Sequence, residues 1–255
     1  MPLKDGFPAL APSIWLGGQQ RVPSTRLVGG KALSGGWPDE TPTTFSRTVV
    51  ATEPNYQVVA NPLGSSDVVC DYNASDYFQA PNNTLGDLAA NDLILHIVAE
   101  VKLSAANHAL ASKRDGATGW VWYVDTTERL ALQWDSVSTG STTKVGAQIM
   151  AAGYHDLWVF GKQSEASIYG LTFWVDGKID LQVDNSANAD VTILTSPLRI
   201  GAGSAGALQY DGGIALAEVY ALGATGVLTT GIEGVAEQHR IVHDFLSRYS
   251  YGRAV

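Results

Sequence analysis

Five histidines, a single cysteine and scattered carboxylates are the side chains from which this 255-residue chain could assemble a reactive site. His239 and His243 stand at i, i+4 in HRIVH, the spacing that lets two imidazoles on one helix face meet one metal ion. The run lacks the glutamate of H-E-x-x-H and no third ligand is indicated, so the pair reads as structural or surface histidines and no metal is expected. His96, His108 and His155 are isolated in strand or loop contexts, and none adjoins a Ser or Cys nucleophile in a known pattern. Cys70, within DVVCDY, reads as a small apolar residue. One cysteine excludes an intramolecular disulfide framework and any multi-cysteine metal centre.

Carboxylates fare no better as catalysts. A glycosidase built on strands needs two of them on one face of a cleft, most simply at i, i+2 or i, i+4. The chain has no E-x-D-x-x-E run, and its nearest approximations, Asp125 with Glu128 and Asp176 with Asp180, straddle turns. G-x-S-x-G and Walker A patterns are absent, and GAGSAG from Gly201 has strand-like flanks that make it a turn. Asp115, Asp125, Asp135 and Asp211 at strand ends could offer oxygens to calcium, yet no EF-hand spacing supports it and turn chemistry accounts for each. Calcium is unsupported and no cofactor is expected; the chain is not expected to be an enzyme.

Aromatic rings are the remaining binding groups, since sugars and flat partners stack on exposed rings. Trp120 and Trp122 share one face of a strand, Tyr123 points the other way, and Trp134, Trp158 and Trp174 lie within strand interiors. The candidate ligand-binding set is Trp120, Trp122, Tyr123 and Trp134. The competing role for each ring is packing between two sheets.

The elements that must position these groups follow from periodicity. Residues 1–45 carry six prolines and the pairs Gly17-Gly18, Gly29-Gly30 and Gly35-Gly36, so they read as an extended arm and loops with one short strand at 13–16. Between 46 and 228, runs of β-branched and aromatic residues alternate with turn signals, predicting strands at 67–72, 77–80, 93–103, 108–112, 119–125, 129–134, 144–150, 155–161, 167–175, 178–184, 198–201 and 213–222. Leu171, Phe173 and Val175 share one face, Thr172, Trp174 and Asp176 the other. Asp176-Gly177 then closes a hairpin, because both residues tolerate the positive φ of a type I′ turn. Residues 229–255 read as a helix: Thr230 and Glu233 form a capping box, and Ile232, Val235, Ala236, His239, Val242, Phe245, Leu246 and Tyr249 make an apolar stripe, with Gly252 as the stop. The fold class is all-β, a two-sheet antiparallel jelly-roll sandwich carrying an N-terminal arm and one C-terminal helix docked on the sandwich or a neighbour.

Charge narrows the partners. Lys and Arg number 16 against 25 Asp and Glu, a net charge of −9. An acidic chain without clustered Lys and Arg is poorly suited to phosphate backbones or anionic lipid, so neither nucleic acid nor membrane is an expected partner. Charged residues are 16% of the chain, below the roughly 25% of average globular proteins, which suits a surface meant for protein contact. MPLKDGFPALAP holds no apolar run of signal-peptide length, no stretch reaches membrane-spanning length, and the sequons at Asn73 and Asn82 read as accidental; synthesis in a cytoplasm is the expectation.

Taken in order, several segments resemble the LamG-like jelly rolls of the concanavalin A-like lectin/glucanase superfamily. LASKRDGATGWVWYVD is similar to that family's hairpin, GYHDLWVFGK to its central strand, LTFWVDGKID to its Y-V-D-G hairpin, SPLRIGAGS to its L-x-I-G strand, and YDGGIALAEVYAL to its closing strand. PSIWL, EPNYQVV, YNASDYFQAP and the ending EQHRIVHDFLSRYSYG resemble a variant found in many phage and bacterial proteins. Order and spacing agree over about 13–252. The resemblance implies the sandwich fold more firmly than a function, because one fold hosts many. The paired glutamates of the family's hydrolases and the Asn/Asp calcium pattern of its legume-type lectins have no counterparts, so neither is carried over. The leading expectation is a non-enzymatic structural or adhesion protein of a phage virion, a head decoration, tail or fibre component on the particle surface. Its partners would be other virion or capsid proteins and further copies of itself as a homo-oligomer. The alternatives are a lectin-like module binding surface glycans and a glycoside hydrolase with an unrecognised catalytic pair.

Overall fold

A computed structural model of the chain describes residues 14–16, 19–21, 25–28, 46–49, 55–60, 66–73, 76–79, 93–115, 118–136, 140–164, 168–187, 196–204, 208–221 and 232–249. These residues form β1 (Ile14–Leu16), β2 (Gln19–Arg21), β3 (Thr25–Val28), β4 (Ser46–Val49), β5 (Asn55–Ala60), β6 (Ser66–Asn73), β7 (Asp76–Gln79), β8 (Leu93–Val101), β9 (His108–Asp115), β10 (Thr118–Val124), β11 (Leu130–Ser136), β12 (Gly140–Val145), β13 (Gly153–Ser164), β14 (Ile168–Val175), β15 (Lys178–Ala187), β16 (Arg199–Ile200), β17 (Asp211–Ala221) and one helix, α1 (Ile232–Tyr249).

Two antiparallel sheets result, as the strand spacing requires. The smaller runs β12-β11-β10-β9-β16-β7-β4, and the larger runs β15-β14-β13-β8-β17-β6-β5. Strand β3 joins the larger sheet by pairing Leu216↔Val28 through Val219↔Thr25 on β17, just beyond the segment of β17 that pairs β6. Part of the stretch read as an arm is therefore joined to the sheet, while among the described residues β1 and β2 pair with each other.

The core follows the period-two pattern. Leu93, Leu95, Ile97, Ala99 and Val101 of β8 meet Trp120, Trp122 and Val124 of β10, Leu132 and Trp134 of β11, and Leu171, Phe173 and Val175 of β14 between the sheets. The opposite face of the larger sheet, with Ile94, Val98, Trp158, Phe160, Trp174 and Tyr220, is covered by Ile241, Val242 and Phe245 of α1. Central strands of the larger sheet are thus buried on both sides, which explains their near-continuous apolar character in LILHIVAEV.

Besides β2, β3, β4 and β5, which form where no strand is predicted, two elements depart from the sequence reading. The strand expected at 144–150 ends at Val145, and residues 146–150 form a loop that Asp180 holds through a 2.5 Å hydrogen bond from the Gln148 amide to Oδ1. On α1, Ala236 and His239 are exposed instead of lying in the buried stripe, and Gln238 takes the inward place. The capping side chains of Thr230 and Glu233, Gly252 and the side chain of Cys70 lie outside the described residues.

Candidate functional site at the loop end of the sandwich

Antiparallel succession brings alternate connections to one end of the molecule. The links β8–β9 (102–107), β10–β11 (125–129), β12–β13 (146–152), β14–β15 (176–177) and the described parts of β16–β17 (201–204 and 208–210) all gather there. They are laced together: the Thr126 amide donates to Asn107 Oδ1 at 3.1 Å, Met150 N to Glu128 O at 2.8 Å, Ala109 N to Leu208 O at 2.9 Å, and Asp156 N to Asp176 Oδ1 at 3.0 Å.

Two independent features mark this end. Among the described residues, every exposed large hydrophobic side chain lies on it: Leu103 at 66% exposure, Ile149 at 62%, Ile179, Val145 and Leu208. The three described non-glycine residues with positive φ lie there too, Glu128 (58°), Asp176 (50°) and Leu208 (54°). Asp176 is the first residue of the type I′ turn that the sequence predicts, with Gly177 at φ 80°. Leu208 has no such excuse. A leucine held in the left-handed region carries a backbone cost, and such strain concentrates at functional sites; this one is 37% exposed.

The polar groups of this end are largely engaged in shaping it. Asp125 Oδ1 accepts from the Thr127 amide at 2.8 Å, the Thr127 hydroxyl at 2.7 Å and the Arg129 amide at 3.1 Å, fixing the β10–β11 turn. Asp211 pairs with Lys102 at 3.0 Å, and His155 Nδ1 lies 2.7 Å from Asp176 Oδ2. Asp180 is pushed above the ordinary carboxylate range by burial, against the opposing pull of the Gln148 and Ala147 amides and of Arg129. Of the four strand-end aspartates considered for calcium, Asp125 and Asp211 are thus engaged within the chain, and the side chains of Asp115 and Asp135 lie outside the described residues. Among the described residues no group of three or more His, Cys, Asp and Glu side chains is arranged to hold a metal.

The rings proposed from sequence lie elsewhere. Trp120, Trp122 and Trp134 are at most 2% exposed and fill the space between the sheets, with Trp120 directly opposite Trp134 across the ladder. Tyr123 projects from the other face and is buried with Ala109, Val121 and Ala131. Its phenol is pushed up by burial and then by the charge of Asp125. None of the four offers an open ring face on which a sugar could stack, so their burial fits the packing role.

Sequence reasoning missed a buried polar cluster on the outer face of the larger sheet. His96, fully buried, places Nε2 2.8 Å from Asp156 Oδ1 and Nδ1 2.8 Å from Glu218 Oε2. Trp158 Nε1 donates to Asp156 Oδ2 at 2.8 Å and the Tyr220 hydroxyl to Glu218 Oε2 at 3.2 Å. His96 stacks on Trp158 with centroids 3.7 Å apart and meets the Phe245 ring edge-on. The carboxylates occupy opposite edges of the imidazole, so they cannot share one ion with it, and a ring with both nitrogens committed under a helix cannot reach a substrate. The signal was available in the lone polar letters of LILHIVAEV and ALAEVY.

No family model and no curated protein matches the sequence. Solved structures do match in fold. The binding domain of Paraclostridial Mosquitocidal Protein 1 aligns with a TM-score of 0.58 at 10% identity, covering 85% of this chain and 52% of that one. The receptor binding domain of botulinum neurotoxin mosaic serotype C/D gives 0.54 at 10% identity, covering 85% and 50%. The binding domain of botulinum neurotoxin serotype D gives 0.53 at 10% identity, covering 86% and 51%. This chain spans about half the length of each of those structures, and what it shares with them is a β-sandwich fold.

Proposed function

We propose that this chain is a non-catalytic recognition module that binds a glycan-bearing surface receptor with the loop end of its sandwich. The observation that carries the reading is the coincidence, at that one end, of the exposed aliphatic side chains with the strained backbone of Leu208. The names of the structural neighbours, binding and receptor-binding domains, support the same class of function. Because the described rings considered for stacking are buried, the apolar contact comes from Leu103, Ile149 and Ile179. Sugar hydroxyls would then be met by the backbone and polar groups of the turns.

The test is binding of the intact chain to a glycan array and, in parallel, to receptor-bearing cell surfaces, repeated with Leu103→Asp and Ile149→Asp. Binding that both variants lose while keeping the fold is expected. Binding that both variants retain would place the contact surface elsewhere and overturn the assignment.

A second reading puts the same module on a phage particle, among capsid or tail proteins and further copies of itself. Its support is the resemblance to a jelly-roll variant common in phage proteins, together with the low charged fraction of 16%. Mass spectrometry of purified particles decides it: the chain present at a fixed copy number is the expected result, and its absence from particles would remove this reading.

A further inference from the structure

One turn apart on the solvent side of α1, His239 and His243 stack with ring centroids 4.0 Å apart and planes inclined by 25°. Both side chains are exposed. His243 Nε2 lies 3.1 Å from the carbonyl oxygen of Gly177. A carbonyl only accepts, so Nε2 carries the proton and the neutral ring keeps its lone pair on Nδ1. Ligand histidines are commonly oriented in this way, with the non-ligating N–H given to a carbonyl or carboxylate. Gly177 itself is required for its φ of 80° and for the space of Leu246, whose Cδ1 would stand 2.7 Å from a Cβ there, whereas His243 Cε1 at 3.6 Å would be in ordinary contact. His239 is steadied in turn by the edge of Trp174, 5.8 Å away between centroids.

Separation matters as much as orientation. Two nitrogens bound at about 2.0–2.1 Å to one ion stand about 2.9 Å apart in the tetragonal geometry of Cu(II) and about 3.4 Å apart in the tetrahedral geometry of Zn(II). The 4.0 Å is between the centroids of a face-to-face stack, whose lone pairs run side by side, so chelation needs the His239 ring to turn out of the stack until its lone pair meets that of His243 Nδ1, with the i, i+4 backbone unchanged.

We propose that His239 and His243 form a two-point chelate for a borderline transition-metal cation, Cu(II) ahead of Ni(II) and Zn(II), with solvent filling the other positions. With no third protein ligand among the described residues, the hold is exchangeable and distinct from a four-ligand structural zinc site. The ion would tie together two turns of α1, whose inward side chains Ile241, Val242 and Phe245 cover the larger sheet. This assignment does not depend on receptor binding at the loop end, which, among the described residues, the pair meets only through Gly177.

The test titrates the untagged full chain with copper(II), nickel(II) or zinc(II) alone, by calorimetry and by copper-induced broadening of histidine ring signals in NMR. One ion per chain is expected, with His239 and His243 broadened first. Each of His239→Ala and His243→Ala should weaken binding about tenfold or more, and each should abolish the rise in thermal midpoint that saturating metal gives the wild type. Should an alanine variant fail to fold, His→Gln at the same position provides the measurement. Binding within about twofold of wild type in either single variant, or broadening centred on another histidine, would overturn the assignment.

Discussion

His96 and Glu218 face each other across the β8–β17 ladder, with His96 Nδ1 2.8 Å from Glu218 Oε2, while Asp156 closes on the opposite edge of the ring. Burial alone would lower the proton affinity of this imidazole. The hydrogen bonds and charges of Asp156 and Glu218 together outweigh it, so the pKa of His96 is raised above 6.5. A raised folded value means that protonated His96 stabilises the fold fully below its unfolded pKa of about 6.5, and that this contribution is lost as pH rises through the folded value. Urea denaturation of the wild type between about pH 6 and 9 should show stability falling on the alkaline side. In His96→Gln that slope should flatten, because the titrating group is gone. A wild type equally stable across the range would contradict the argument.

Trp120 and Trp122 should behave as core. Trp122 is fully buried and Trp120 packs opposite Trp134. Truncation of either to alanine should cost about 3–5 kcal/mol, because a large ring leaves a cavity that two hydrogen-bonded sheets cannot close. By contrast Ile149→Asp, at the exposed loop end, should change stability by no more than about 0.5 kcal/mol. Urea midpoints of the three variants provide the comparison, and an unchanged midpoint for Trp122→Ala would remove that ring from the core.

How much of this was legible in the sequence depends on the range over which each feature is determined. The hairpin at Asp176-Gly177 was legible because two adjacent residues set it, and both adopt the expected positive φ. The alternating faces of β14 were legible for the same local reason. The end of β12 was not: the alternation of KVGAQIM continues past Val145, but Asp180, 32 residues away from Gln148, takes the amide and turns the chain out of the sheet. Nor was the inward place of Gln238, which is set by a tryptophan 64 residues distant. The His96 cluster joins strands separated by 60 and 122 residues, so its members look isolated in any window. The convergence of alternate loops follows from antiparallel order alone, whereas which loop residues stay exposed depends on packing.

That inward glutamine supplies the next expectation. Trp174 Nε1 donates to Gln238 Oε1 at 3.0 Å in a contact where both residues are 1% exposed. Gln238→Ala removes the acceptor and leaves a buried N–H unmatched, which should cost about 1–3 kcal/mol. Trp174→Phe introduced on top of Gln238→Leu should cost less than Trp174→Phe alone, because the polar pair has then been removed from both sides. Denaturation measurements over this double-mutant cycle should give a coupling of about 0.5–3 kcal/mol, and strictly additive costs would mean that the bond does not help hold α1 to the sheet.

Gly201 and Gly140 separate backbone strain from steric exclusion, because their φ values are nearly equal, 84° and 80°. A Cβ at Gly140 would meet nothing within 4 Å, whereas one at Gly201 would stand 2.5 Å from Cε1 of the buried Tyr72 ring. Gly140→Ala should therefore show the conformational cost alone, about 1–2 kcal/mol. Gly201→Ala should add the cost of overpacking a rigid ring in the core, a further 1–3 kcal/mol or so. Tyr72 itself packs edge-on against Phe78 and Tyr210, which limits its freedom to yield. Thermal or urea midpoints of the two variants measure the difference directly. If both alanines cost the same, Tyr72 can give way, and the glycine at 201 is required for its dihedral and not for the space it leaves.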